Sequence, residues 1–260
     1  MSAIVSKIDE RNVLTLTLNR PLIHNAFDDT VIRELSEALR DVETKTQVRA
    51  VMLTAVGPSF SAGADLHWMR RMANYSVDEN VSDAVGLASL MRRLDSLPKP
   101  TMALVQGAAF GGGVGLVAAC DIAIASETAT FSLSEVRLGL IPAVISPYVI
   151  KAIGARAARR YFLTGEKFSA AEALRIGLLH EVTTPDHLIR VADKIMAQLL
   201  EGGPRAQVES KRLIEDIAGK PIDVSLTDET ARRIAAIRAS QEGREGITAF
   251  LEKRKPSWIK

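Results

Sequence analysis

Leucines alternate with threonines in "VLTLTL", residues 13–18, placing Leu14, Leu16 and Leu18 on one face of a run that stops at Pro21. A period of two predicts a half-buried strand, and the apolar "IVSKI" just before it makes a hairpin. The period then lengthens. Asp28 or Asp29 can cap a helix whose apolar positions Val31, Leu35, Leu39 and Val42 recur at three and four. A buried strand follows over Arg49–Thr54, ending at Gly57. Next come a helix through "AVGLASLMRRLDSL", a stop at Pro98 and Pro100, a strand "TMALVQG", a helix from the glycine run, and strands "DIAIAS" and "ATFSLS". Strands alternating with crossover helices predict an α/β fold with parallel pairing. From Arg156 onward the pattern turns mostly helical, and Gly202, Gly203 and Pro204 punctuate it. This places an α/β core at residues 1–200 and a helical C-terminal module at 201–260.

Composition narrows the function classes. Of 260 residues, 47% are hydrophobic, enough for a sizeable core, and the charged 25% nearly cancel to +2. Nothing resembles the basic stripe of a nucleic-acid binder, so no nucleic-acid partner is expected. The single Cys120 rules out an internal disulfide and a cysteine-cluster metal site, which suits a reducing compartment, the cytoplasm in the simplest reading. The first residues carry neither an apolar leader nor an Arg-rich presequence, and no run of about 18 apolar residues occurs, so a soluble, unprocessed protein is expected.

The chemistry is carried by glycine. "AFGGGVGLVAACDIA", residues 109–123, concentrates glycines between a strand and a helix, although each costs a helix or strand roughly 0.5–1 kcal/mol relative to alanine. Bare backbone there serves either an anion at a helix N-terminus or close helix–sheet packing. Residues 113–118 match G-x-G-x-x-A, but they lie mid-chain after two strand–helix cycles rather than at the start of a dinucleotide-binding unit, and no Gly-Lys-Ser/Thr of a P-loop is present. A second turn, "GPSFSAGADL" (57–66), also joins a strand to a helix. Two such turns can converge on one oxygen as an oxyanion hole, or both can be tight turns needing positive φ.

The blocks "LNRPLIHNAF", "FSAGADL", "PTMALVQGAAFGGGVGLVAACDIAIASETATFSLSEVRLGLIP", "ALRIGLLHEV" and "AFLEKRKPSW" resemble, in order and spacing, the enoyl-CoA hydratase/isomerase (crotonase) superfamily. The resemblance implies a crotonase-like fold of repeated ββα units, parallel sheets with crossover helices, followed by C-terminal helices that mediate trimerisation and cover CoA. It implies an acyl-CoA substrate whose thioester oxygen is held by the amides of Ala64 and Gly112, with Gly111 beside them and a side chain at Gly112 obstructing the thioester. Ala62, Asp65 and Leu66 would lie near the adenine of CoA. It also implies no metal or organic cofactor, and a homotrimer or dimer of trimers.

Hydratases of the family use two glutamates. The second is present as Glu135; at the position of the first stands Gly115. A single carboxylate beside an oxyanion hole can still move protons next to a thioester, which equally suits the family's double-bond isomerases. Ser146 and Tyr148, after Pro142, offer hydroxyls that can hold water, or else serve as turn and core residues. "GLIPAVISPYV" with "AAFGGGVGLVAACD" resembles most the bacterial methylglutaconyl-CoA hydratase branch, whose substrates carry a second carboxylate. The segment "DLHWMRRMANYS" offers His67, Arg70 and Arg71 for that charge, and Trp68 and Met69 for the acyl tunnel, against the alternatives of a solvated helix face and core packing. Lys253 is the position carried over for a CoA phosphate and Phe250 for packing, while His24 and His180 read as structural. A non-catalytic acyl-CoA- or RNA-binding member of the superfamily remains the rival of another class.

Overall fold

The computed structural model describes residues 2–259. The alternating leucines form β2 (Val13–Leu18), paired antiparallel with β1 (Ile4–Ile8), and their inward faces are buried as the period of two requires. Asp28, not Asp29, caps α1 (Asp29–Thr44) by accepting a hydrogen bond from the Val31 amide, and Val31, Leu35, Leu39 and Val42 form its buried stripe. Beyond β2 the large sheet is parallel: β3 (Ala50–Ala55), β5 (Thr101–Val105), β7 (Ile122–Ser126) and β10 (Glu181–Thr183) complete the order β1-β2-β3-β5-β7-β10.

A second sheet of four strands, β4 (Ser59–Ser61), β6 (Ala108–Phe110), β8 (Thr130–Ser132) and β9 (Lys167–Ser169), lies beyond the first in order β4-β6-β8-β9. The chain crosses from one sheet to the other in the same way each time: β3 runs into β4, β5 into β6, β7 into β8, and a helical segment returns. Gly107 marks one crossing. A Cβ there would stand 2.0 Å from the Pro58 carbonyl oxygen, so only glycine allows the two crossing loops to touch. Three-residue strands carry too short an alternation to register as a period, and β4, β6, β9 and β10 are absent from the hydrophobic pattern for that reason.

The returning helices are α2 (Leu66–Met72), α3 (Val77–Asp95), α4 (Gly112–Ala119) and α5 (Ser146–Thr164). Helix α3 starts seven residues before its apolar stripe because Ser76 and Glu79 form a capping box. Helix α5 breaks at Gly154, whose φ of 72° is left-handed. Helices α6 (Ala170–Arg175) and α7 (Leu188–Glu201) close the α/β part, and α8 (Pro204–Ile217), α9 (Val224–Ala239) and α10 (Gln241–Leu251) follow. Among the described residues no helix is long and apolar enough to cross a membrane, and no group of three His, Cys, Asp or Glu is placed to hold a metal ion. Cys120 is buried, which pushes its thiol up to about 12.

Candidate active site

Three neighbouring, mutually parallel strands of the small sheet end at the residues singled out for chemistry. Strand β4 runs into the turn 62–65, β6 into Gly111 and Gly112, and β8 into the 3-10 turn Ser134–Leu138 that carries Glu135. Carboxyl ends of parallel strands are where such sheets bind ligands, because the loops and helix N-termini gather there.

Phe27 fixes both glycine turns at once. Its backbone makes a parallel bridge to Ala64, donating to the Gly63 carbonyl at 2.7 Å and accepting from the Asp65 amide at 2.7 Å. Those two bonds use the amides flanking Ala64, and its own N–H faces the other way with no acceptor among the described residues. The Phe27 ring packs on Gly112: a Cβ at that position would stand 3.3 Å from Cδ2. The first protein atom that a side chain at Gly112 would meet is therefore the Phe27 ring. As the first residue of α4, Gly112 also has an amide with no acceptor in the helix, at the end where the helix dipole is positive.

Gly63 and Gly111 bring the turns together. Gly63 (φ 90°) lies against the Phe110 carbonyl, 3.2 Å from where its Cβ would be. Gly111 has φ 49° and ψ −118°, a backbone that side chains rarely tolerate, and its missing Cβ would stand 3.1 Å from Glu135 Oε1. Glu135 itself makes no ion pair among the described residues, and its Oε2 is buried without a hydrogen-bond partner. Burial pushes its carboxyl above the ordinary carboxylate range, and no neighbouring charge opposes that. Two amides without acceptors and one partly dehydrated, unpaired carboxyl thus meet around two glycines. The amides can hold an oxygen carrying negative charge, and the carboxyl can take and return a proton.

Other candidates are placed differently. The Asp65 carboxylate caps α2, accepting from the His67 and Trp68 amides, and faces Arg20 at 4.0 Å, so its side chain serves the turn. Ala62 donates to the His24 carbonyl and is exposed, as are Leu66 and His67. Trp68 does not line a tunnel: it is 5% exposed in the main core, with its indole N–H donating to Asp83 of α3 at 3.0 Å. Arg71 pairs with Asp29, whereas Arg70 is exposed and makes no ion pair among the described residues. Pro142 is buried. The Ser146 hydroxyl donates to the Ala143 carbonyl at 2.8 Å, which leaves it lone pairs but no proton for water. Tyr148 is half-buried against the core beside Asp95 and Arg92 of α3, and burial raises its phenol. Phe250, 81% exposed, and Lys253 belong to α10 and the turn after it, and α10 packs on α8 and α9. His24 has a left-handed backbone and contacts the Ser59 hydroxyl through Nδ1, and His180 Nδ1 accepts from the Ala123 amide, both roles within the scaffold.

The pattern of the chain gave no hint of Phe27's double role or of what fills the space at Gly115. A Cβ at Gly115 would stand 2.3 Å from Ile145 Cγ2, 2.9 Å from Ile145 Cβ and 3.1 Å from Met91 Cε. The only signal available beforehand was Gly115 itself.

Residues 9–260 match the family model described as enoyl-CoA hydratase/isomerase. A short-chain-enoyl-CoA hydratase of Clostridium acetobutylicum is 34% identical, the match covering 95% of this chain and 94% of that protein. A 2,3-dehydroadipyl-CoA hydratase of Escherichia coli is 32% identical over 96% of each. Among solved structures, an enoyl-CoA hydratase from Shewanella pealeana superposes with a TM-score of 0.95 at 46% identity, covering 98% of this chain and 96% of that one.

Proposed function

This chain belongs to the enoyl-CoA hydratase/isomerase family, and on that premise we propose that it hydrates a branched, carboxylated 2-enoyl-CoA thioester, 3-methylglutaconyl-CoA or a related glutaconyl ester. The observation that carries the reading is the meeting of Glu135 with the acceptor-free amides of Ala64 and Gly112. The amides bind the thioester oxygen. As a water oxygen bonds to C3, the Glu135 carboxylate takes one of its protons, and the π electron pair moves through C2 onto the amide-held oxygen. Glu135 then gives that proton to C2, the enolate collapses, and the thioester carbonyl returns. One carboxylate thereby serves both transfers. Losing one such amide donor typically costs roughly 2.7–4 kcal/mol of transition-state stabilisation.

The branched, dicarboxylic substrate rests on the resemblance of "GLIPAVISPYV" and on exposed Arg70 and His67 in α2, next to the Ala64 turn, as partners for a second carboxylate. CoA is part of the substrate and no further cofactor is needed. Residues 201–260 are assigned to covering CoA and joining copies into trimers, in keeping with exposed Ile247, Phe250 and Leu251 on α10. The second reading is a double-bond isomerase, favoured by the filled space at Gly115, which leaves one carboxylate.

Incubation with 3-methylglutaconyl-CoA in isotopically labelled water, read by mass spectrometry of the CoA esters, tests both. A product heavier by one labelled water is the expected result. Deuterium exchanged into carbon with no water gained supports the isomerase, and an inert ester overturns the substrate class.

A further inference from the structure

Gly111, which caps α4, and Gly115 in the helix's first turn are each covered by a different kind of side chain. Gly111 lies under the Glu135 carboxyl. Gly115 lies under Ile145, the residue just before α5, with the end of Met91 from α3 closing the remaining side. Ile145 is 3% exposed and Met91 is fully buried. The nearest missing contact, 2.3 Å to a branched methyl on Cβ, cannot be relieved by swinging a flexible chain end, whereas the 3.1 Å contact to the Met91 terminus can.

We propose that Ile145, backed by Met91, is a specificity-determining residue that limits this site to one ionisable group, by filling the space that any side chain at position 115 needs. The proposal rests on the reading of Glu135 as the acid–base group. Gly115 and Ile145 then act as one unit: the glycine is required because the isoleucine is there, and a second acid beside Glu135 is shut out by packing as well as missing from the sequence. Among the ionisable groups of the flanking elements, Arg92 and Asp95 of α3, Tyr148 and Lys151 of α5, and Arg137 of the Glu135 turn itself make no contribution to the raised Glu135 carboxyl. With a single carboxyl at the site, the expected kcat/KM profile of the wild type carries one acidic limb.

Four proteins test this: the wild type, Gly115→Glu, Ile145→Gly, and the double variant. Forcing a side chain against Ile145 is overpacking, so Gly115→Glu lowers Tm by roughly 5 °C or more. Ile145→Gly lowers Tm through the cavity it opens. The double variant melts above Gly115→Glu alone, which independent destabilisations cannot produce, and its kcat/KM acquires a second ionisation that neither single variant shows. A purely structural role for Ile145 would move Tm without adding that ionisation. Additive losses of Tm overturn the proposal, as does a double variant that keeps a single limb. The melting comparison needs no substrate, so it stands even if the branched ester proves inert and the functional reading fails. In that case the pH profile is read with crotonyl-CoA.

Discussion

Helix α4 and helices α8–α10 bury their residues in opposite proportions. Six of the eight α4 residues are buried, all of them glycine or apolar, whereas α8 and α9 bury none and α10 buries only Ala249. What holds the C-terminal helices is polar. The Arg49 guanidinium, at the start of β3, donates to the carbonyls of Leu200, Gly202 and Trp258, the last two at 2.7 and 3.0 Å. Lys211 of α8 meets Asp121 at 3.0 Å, and Glu242 of α10 accepts from the Arg205 and Ala206 amides at the start of α8. Around α4, shape decides which atoms fit. At the C-terminal helices, a few directed hydrogen bonds decide where a largely solvated layer sits. Chemistry needing sub-ångström placement is built on the first kind of region.

Three substitutions would break or sharpen this contrast. The largest effect is expected of Glu135→Gln, which keeps the shape of the α4 face and removes only the proton carrier: kcat falls by about 10²–10⁴, with the fold intact by circular dichroism. Its stability follows the raised carboxyl. The folded state holds the Glu135 proton to higher pH than the unfolded chain does, so wild-type stability falls as pH rises from the ordinary carboxylate range through the raised folded value. Glu135→Gln therefore melts higher than wild type at neutral pH, and the gap closes in acid. Thermal melts at several pH values check this.

Next comes Gly111→Ala, which places a Cβ in a glycine-only backbone and 3.1 Å from Glu135 Oε1. A loss of about 2–3 kcal/mol by urea titration is expected, together with reduced turnover. The smallest is Arg49→Met, which keeps the stem but orphans three carbonyls: about 2 kcal/mol of stability, with kcat unchanged and KM for the CoA ester raised. Equal effects of Arg49→Met and Gly111→Ala on turnover would dissolve the distinction between the two regions.

Long amphipathic elements were legible in the sequence. The alternation at Leu14, Leu16 and Leu18 and the stripe Val31–Leu35–Leu39–Val42 each commit a period to one buried face, and β2 and α1 appear where those periods run. Of the small sheet only β8, within "ATFSLS", was legible. Strands β4 and β6 span three residues each, and their place is set by Gly107 passing under the Pro58 carbonyl, a contact between segments nearly fifty residues apart. The site divides along the same line. Glycines at 63, 111 and 112 were readable as bare backbone, but not whether anion or packing required it. The structure shows the packing, with Phe27 pressed on Gly112, and beside it two amides without acceptors. Trp68 stayed open between tunnel and core because an aromatic beside a candidate turn looks the same in either place. Its indole N–H on Asp83 decides for the core. Ile145 was invisible, since its role exists only in the atoms that Gly115 lacks.

Arg49 also sets an order of events for the growing chain. Its carbonyl partners lie 151, 153 and 209 residues downstream. At roughly 5–20 residues per second of synthesis, the guanidinium waits on the order of ten to forty seconds for Trp258 to emerge. Strands β2, β3, β5 and β7, the α4 glycines and Glu135 are all synthesised before then. The Arg49 clamp therefore closes only after the strands of both sheets have been synthesised, and a chain cut short of residue 258 lacks its longest-range carbonyl partner.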